Sequence, residues 1–282
     1  MMVGGSLAAR DGAIDWWWLG VTGVALFCME VAKNAWGDVY DYDSGTDLAV
    51  EPADRTPFSG GKRVLVDRLL TRGQTWTLAF GFGGIGAALG AYLVFARAPE
   101  ALWVGAVGLA LGWSYHGPPL KLAYRGLGEL SVGVTYGPLI ACGTYVVQRG
   151  YVGADVLYAS IPLGLVIMAF LWINEVPDRR ADALAGKRTL VVRLGEHHAA
   201  MGFTAVMILA FAGVVALVPL GLPTTIWLGL IALPLAAAAN QRVHRFVAST
   251  HRDMKAIIPA QGWTLIAFVL MAIGLGAGVL LG

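Results

Sequence analysis

What most limits the fold of this chain is a series of long runs without a charged side chain, at 16–29, 75–96, 101–120, 130–148, 156–174, 199–241 and 256–282. The hydrocarbon core of a bilayer is ~30 Å thick and takes about 20 residues of α-helix to cross, a length these runs approach or exceed. The run 199–241 has room for two helices, and Pro219 with Gly221-Leu222-Pro223 divides it, because proline lacks the amide donor and clashes with the preceding turn. Eight spans result, so the expected fold is an all-α, multi-spanning transmembrane bundle forming one integral-membrane domain over 1–282. Composition agrees: 57% of residues are hydrophobic and 13% charged, which a soluble domain does not show. Trp16-Trp17-Trp18 reads as an interfacial belt opening the first long span. Met1 to Asp15 is too short in apolar residues for a secretory signal and reads as a frayed or truncated segment.

Basic residues assign the two faces. With connections alternating sides, sixteen of the 20 Lys and Arg fall on one face. They are Arg55, Lys62, Arg63, Arg68 and Arg72, then Lys121 and Arg125, then Arg179, Arg180, Lys187, Arg188 and Arg193, and finally Arg242, Arg245, Arg252 and Lys255. The other face receives Arg10, Arg97 and Arg149, and Lys33 lies within a helix. The excess marks the cytoplasmic face and puts both termini on the opposite one. A net charge of +2 without a dense basic run gives no reason to expect a nucleic-acid partner, and nothing demands an obligate protein partner. Cys28 and Cys142 fall in apolar runs and read as small buried hydrophobes.

Two acidic clusters stand at the ends of such runs: Asn34-Ala-Trp-Gly-Asp38-Val-Tyr-Asp41 and Asn174-Glu-Val-Pro-Asp178-Arg-Arg-Ala-Asp182. A charged side chain at bilayer depth costs ~3 kcal/mol or more, so aspartates repeated there call for a compensating charge, most simply a divalent cation. Positions i, i+3 and i+4 share a helix face, which lets Asn34, Asp38 and Asp41 act together; Asn174, Asp178 and Asp182 follow at i, i+4 and i+8, across Pro177. Hard oxygen ligands of this kind suit Mg²⁺ shared with substrate phosphates, and two such faces confronting each other would hold a diphosphate. Polar connections 37–74 and 176–198 follow the two motifs, each with basic residues, a weak internal duplication. Ordinary solvated aspartates with Lys and Arg counterions explain one such cluster better than two with the same opening. Asp43, Glu51, Asp47 and Asp54 read as loop residues, Asp47 within reach of the first motif.

Other patterns carry less. Gly81-Phe-Gly83-Gly84-Ile-Gly86 has dinucleotide spacing, but no strand precedes it, and packing of small residues between helices is the better account. The five histidines show no ligand spacing, and most read as interfacial. Tyr115-His-Gly-Pro-Pro-Leu-Lys121 is a helix exit on the basic face, whose lysine can lean over a bound phosphate.

With these residues in view, the chain resembles the UbiA superfamily of membrane prenyltransferases, in particular its menaquinone branch. The likeness runs through Asn34 to Asp47, Asp54-Arg55-Thr56, Tyr124 to Ser131, Tyr136-Gly-Pro138, Gly143-Thr-Tyr145, Gln148, Asn174 to Asp182 and Gly186 to Gly195. It implies a helical bundle around a central cavity in a bacterial inner membrane. It also implies transfer of a prenyl chain from a polyprenyl diphosphate to an aromatic acceptor such as 1,4-dihydroxy-2-naphthoate, with Mg²⁺ as cofactor. Asn34, Asp38, Asp41, Asp178 and Asp182 match the metal-binding motifs. Arg55, Lys121, Lys187 and Arg188 would then be diphosphate contacts, and Asn34, Asn174 and Tyr115 are further substrate-binding candidates. The chain departs from the family at Gly37, where asparagine is usual, and in segment 116–123. It also has eight spans against nine, the first being represented only by Met2-Val-Gly-Gly-Ser-Leu-Ala. Other acceptors, or internal quenching of the same cation by a cyclase, use the same aspartates. A membrane transporter instead expects acids near mid-span and broken half-helices.

Overall fold

The structure is a computed structural model that describes residues 1–59, 63–249 and 253–282; Lys62 and Arg252, counted above on the basic face, lie outside them. Helices dominate: α1 (Met2–Asp11), α2 (Trp16–Asp43), α3 (Thr46–Ala49), α4 (Arg72–Ala96), α5 (Ala101–His116), α6 (Gly128–Val134), α7 (Ile140–Arg149), α8 (Ala154–Leu184), α9 (Leu190–Ala216), α10 (Leu233–Ala248) and α11 (Ile258–Leu281). A π turn at Thr135–Leu139 takes up Pro138 and joins α6 to α7, and a 3₁₀ stretch at Thr224–Ala232 leads into α10. Among the described residues six helical segments are long and apolar enough to cross a membrane: 72–96, 128–149, 154–184, 190–216, 224–248 and 254–281. The other two expected spans are helical without meeting that measure. One, α2, carries Glu30 and Lys33 along with its opening tryptophans, and the other, α5, is 16 residues long because Gly117-Pro118-Pro119 stops it. The break at 217–223 is where the prolines place it, with Gly221 at φ 101°.

The N-terminal segment corrects the sequence reading. Instead of fraying, α1 packs against α11, α7 and α8, with Val3, Leu7 and Ala8 buried. Gly4 makes the approach possible, since a Cβ there would stand 2.2 Å from the Ala141 carbonyl oxygen. Met1 reaches Gly23 of α2. Asp15 caps α2 by accepting from the Trp17 and Trp18 amides; the Trp16 and Trp17 rings lie outside, and Trp18 packs against Tyr92.

The central core is one apolar cluster drawn from α1, α7, α8, α9, α10 and α11. A smaller one joins α2 to α4 through Ala32, Ala35, Trp36 and Ala79. The glycine run on α4 serves this second contact in part: a Cβ on Gly86 would meet Met29 and one on Gly83 would meet Ala32, while Gly81 and Gly84 face open space. Close backbone approach recurs where α8 crosses α6 and α7, since a Cβ on Gly164 would lie 2.5 Å from the Gly133 carbonyl oxygen. Small residues that let backbones touch are how helices associate in lipid, where the hydrophobic effect gives no preference for protein over tail. Gly164→Val is expected to destabilise the bundle by about 1–3 kcal/mol, the cost of overpacking, read as a lowered midpoint of thermal unfolding in detergent.

The two ends of the bundle differ in character. Arg10 pairs with Asp155 at 2.9 Å, Arg97 donates to the Val147 and Gln148 carbonyls, and Arg149 donates to the Ala8 and Ala13 carbonyls, all at one end. These are the three arginines that the sequence sets apart from the rest. At the opposite end the polar connections after α2, α5 and α8 come together.

Candidate active site

Both acid-bearing helices are followed by a glycine with a left-handed backbone. Gly186, at φ 74°, follows the end of α8; its amide bonds to the Ala183 carbonyl and the Lys187 amide to the Asp182 carbonyl. That pair of bonds is a Schellman closure, which needs a residue free to adopt a left-handed backbone. Its effect is to turn Lys187 back over Asp182. At the end of α2, Gly45 takes φ 81° and its amide bonds to Tyr42, which turns the chain into α3 and places Asp47 beside Asp38 and Asp41. The resemblance between the two connections therefore has a local basis.

Lys187 links the two motifs. Its Nζ lies 3.5 Å from Asp41 Oδ2 and 3.7 Å from Asp182 Oδ1, with only 2% of the Asp182 side chain exposed. Burial alone would lower the Lys187 pKa, but Asp41 and Asp182 outweigh it and hold the ammonium charged well above the usual lysine range. Tyr124 donates its hydroxyl to Asp41 Oδ1 at 3.4 Å, and His116 Nε2 lies 3.5 Å from Asp41 Oδ2. His116 is buried, an exception among the described histidines. It also accounts for Gly37, since a Cβ there would stand 2.8 Å from His116 Cε1, so the ring fills the space an asparagine would take. Glu129, fully buried on α6, accepts from the Leu190 amide and so fixes the connection that carries Lys187. Glu175 and Tyr115 lie in the same neighbourhood.

The remaining expected residues divide. Asn34 donates to the Glu30 carbonyl and to Glu30 Oε1 at 2.7 Å, and with Asp38 and Glu30 it lines a cavity of about 290 Å³ between α2 and α4. Asn174 is buried on α8 and its Oδ1 has no hydrogen-bond partner among the described residues; Asp178, one turn before Asp182, is half-buried. Arg55 is exposed and donates to Val50 O, Lys121 is exposed over the Tyr124 ring at 5.6 Å, and Arg188 is exposed beside them. The structure does not bring these three to the Asp41–Lys187–Asp182 group. His116, Tyr124, Glu129 and Glu175 are the residues that sequence reasoning missed. The cost of a buried carboxylate was the available signal for Glu129 and Glu175, both next to or within apolar runs.

Among the described residues no three His, Cys, Asp or Glu side chains converge to hold a metal by themselves. The donor set does fit Mg²⁺ shared with a phosphate. It consists of hard oxygens near the ends of α2 and α8, with the buried Asn174 oxygen lacking a hydrogen-bond partner among the described residues.

Asp47 records the crowding of negative charge. Its pKa is pushed up to about 6, first by burial, then by Asp41 and Asp38, against the pull of Lys187 and Arg63. A carboxyl whose folded pKa lies above its unfolded value favours the folded state while protonated, and that advantage fades as pH rises through the folded pKa. In metal-free buffer, Asp47→Asn is therefore expected to melt with the wild type near pH ~4 and above it at pH ~7. Thermal unfolding across that range checks it.

The UbiA prenyltransferase family model matches residues 1–265. The chain belongs to that family. This UbiA-family membrane protein is 30% identical to the 1,4-dihydroxy-2-naphthoate octaprenyltransferase of Mycobacterium tuberculosis, over 98% of this chain and 91% of the relative. It is 28% identical to the Bacillus subtilis protein of the same name, over 88% and 77%. Among solved structures, the apo form of a UbiA homolog from Aeropyrum pernix K1 superposes with a TM-score of 0.65 at 18% identity, covering 97% of this chain and 94% of that one. That likeness shows the UbiA fold: an all-α membrane bundle.

Proposed function

We propose that this UbiA-family protein transfers a prenyl chain from a polyprenyl diphosphate to 1,4-dihydroxy-2-naphthoate, in Mg²⁺-dependent fashion, at the cytoplasmic face of a bacterial inner membrane, in menaquinone formation. The observation that carries the reading is the meeting of two acid-bearing helix ends through one buried lysine, Asp41 and Asp182 at 3.5 and 3.7 Å from Lys187. Asp38, Asp41, Asp178 and Asp182, with Asn34 and Asn174 beside them, are the residues that would hold Mg²⁺ together with the diphosphate. Bound there, the ion supplies Lewis acidity toward the leaving diphosphate.

The chain's own residues do the rest. Lys187 adds a fixed positive charge where the departing oxygen becomes negative, and a preorganised charge in a site screened from water is worth far more than in bulk solvent. Tyr124 and His116 hold Asp41 in place, and Glu129 holds the connection bearing Lys187. As the allylic C–O bond breaks, its electron pair leaves with the diphosphate; the ring carbon that bears the carboxylate attacks C1 of the chain, and the carboxylate departs as CO₂, its C–C bond pair restoring the aromatic ring. Apolar helix walls shelter the carbocation character at C1 from water and offer the isoprenoid tail an apolar path. The acids stand at helix ends, and α8 is continuous through Pro162 and Pro177, unlike the broken half-helices of a transporter.

Mass spectrometry of products from purified protein, dihydroxynaphthoate and a series of prenyl diphosphates tests the reading, with Mg²⁺ and with chelator. A prenylated, decarboxylated naphthalenediol formed only with Mg²⁺ is the expected result. Product without any acceptor would identify a cyclase instead. Prenylation of other aromatics alone would move the acceptor assignment.

A further inference from the structure

Deeper along α2 lies a second polar cluster that the chemistry above does not use. Glu30 sits eleven positions before Asp41, about 16 Å down the helix at 1.5 Å per residue. Its Oε2 accepts the Tyr136 hydroxyl, its Oε1 accepts from Asn34 at 2.7 Å, and Lys33 Nζ lies 3.5 Å from that same Oε1. Lys33 in turn donates to the Tyr136 hydroxyl at 3.0 Å, with its ammonium 5.3 Å from the centre of the Tyr136 ring. Tyr136 comes from the π turn between α6 and α7, where Pro138 forces the extra residue that aims it inward.

Such a group is hard to explain by stability. A partly exposed ion pair contributes little to stability, and ionisable residues within a membrane-spanning helix mark sites of function. Access points the same way. The Glu30 side chain keeps 46% of its surface exposed, and the cavity of about 290 Å³ that carries Asp38 is lined by Glu30 as well. That volume stands at the lower end of small-molecule sites, roughly 300–1,000 Å³. Asn34, which bonds Glu30, lines this cavity together with Glu30 and Asp38.

We propose that Lys33, Glu30 and Tyr136 form the subsite for the acceptor ring and select an aromatic that carries a carboxylate next to a hydroxyl. The inference rests on the prenyl-transfer reading above and deepens it. An ammonium and a carboxylate one helical turn apart match an anion and a proton donor on adjacent ring carbons. The ring carboxylate takes the place of Glu30 as partner to Lys33, and the ring hydroxyl donates to Glu30 in place of Tyr136. Tyr136 keeps Lys33 in position through its hydroxyl and the face of its ring. A diphosphate held by Asp38 and Asp41 then presents C1 of the chain toward this end of the cavity.

The test compares 1,4-dihydroxy-2-naphthoate with 1,4-naphthalenediol, the same ring without the carboxylate, in the wild type, Lys33→Gln and Lys33→Arg. Loss of a hydrogen bond to a charged group predicts that Lys33→Gln lowers the kcat/KM preference for the carboxylated ring about 10- to 100-fold. The change should reside in acceptor KM, and Lys33→Arg should restore much of it. Dissociation of dihydroxynaphthoate from donor-free protein, followed by fluorescence titration, should weaken by the same factor. An unchanged preference or an unchanged dissociation constant in Lys33→Gln overturns the proposal, as does failure of the wild type to bind the naphthoate. Binding that depends on Lys33 without any prenyl transfer would support the subsite and sink the transferase reading, so the two fail separately. Should Lys33→Gln not fold, Tyr136→Phe takes its place, and an undiminished preference there is equally fatal.

Discussion

Lys187→Met is expected to abolish prenyl transfer and to lower stability by about 3–5 kcal/mol, the range for removing one partner of a buried ion pair. The reason is geometric. Lys187 stands between Asp41 and Asp182, and without it two carboxylates that meet across the α2 and α8 ends lose the positive charge that holds them together. Adding Asp41→Asn to Lys187→Met removes one of the stranded charges and should recover part of the stability but none of the activity. Thermal unfolding in detergent and single-turnover assays on the two variants separate these effects. A fully active Lys187→Met would remove the lysine from the mechanism.

Asp38→Ala and Asp178→Ala are each expected to lower Mg²⁺-dependent transfer by about 10³-fold or more, since charge stabilisation at a departing phosphate is worth several kcal/mol. Both residues are only partly buried, so the variants should remain folded. The loss should appear in kcat/KM for the prenyl diphosphate and should not be recovered by more acceptor. Near-full activity in either variant would end the assignment of the two motifs to a shared diphosphate.

Much of the architecture is legible in the chain because apolar runs and their interruptions are local properties. Helices form at each expected span, Pro219 to Pro223 divides the longest run, and the three arginines outside the basic face gather at one end. Span ends are less legible. Gly117-Pro118-Pro119 shortens α5, and Glu30 with Lys33 reduces the apolar character of α2, so six helices and not eight suffice by length and composition among the described residues. The packing of the N-terminal helix is less legible, because its ten residues look weak in isolation. What stabilises it is burial of Val3 and Leu7 against α11, α7 and α8, a non-local contact.

The Asn-x-x-x-Asp spacing by itself determined which carboxylates can share a helix face, and the glycines Gly45 and Gly186 determined how each face ends. Which of those groups meet was decided only by the tertiary structure. Lys187 reaches both motifs, whereas Arg55, Lys121 and Arg188 stay exposed, even though Arg188 is its immediate neighbour in sequence. Helical periodicity fixes the direction of a side chain relative to its own axis. The distance between two axes, and the burial that gives a charge its strength, depend on how α2, α5, α6 and α8 pack.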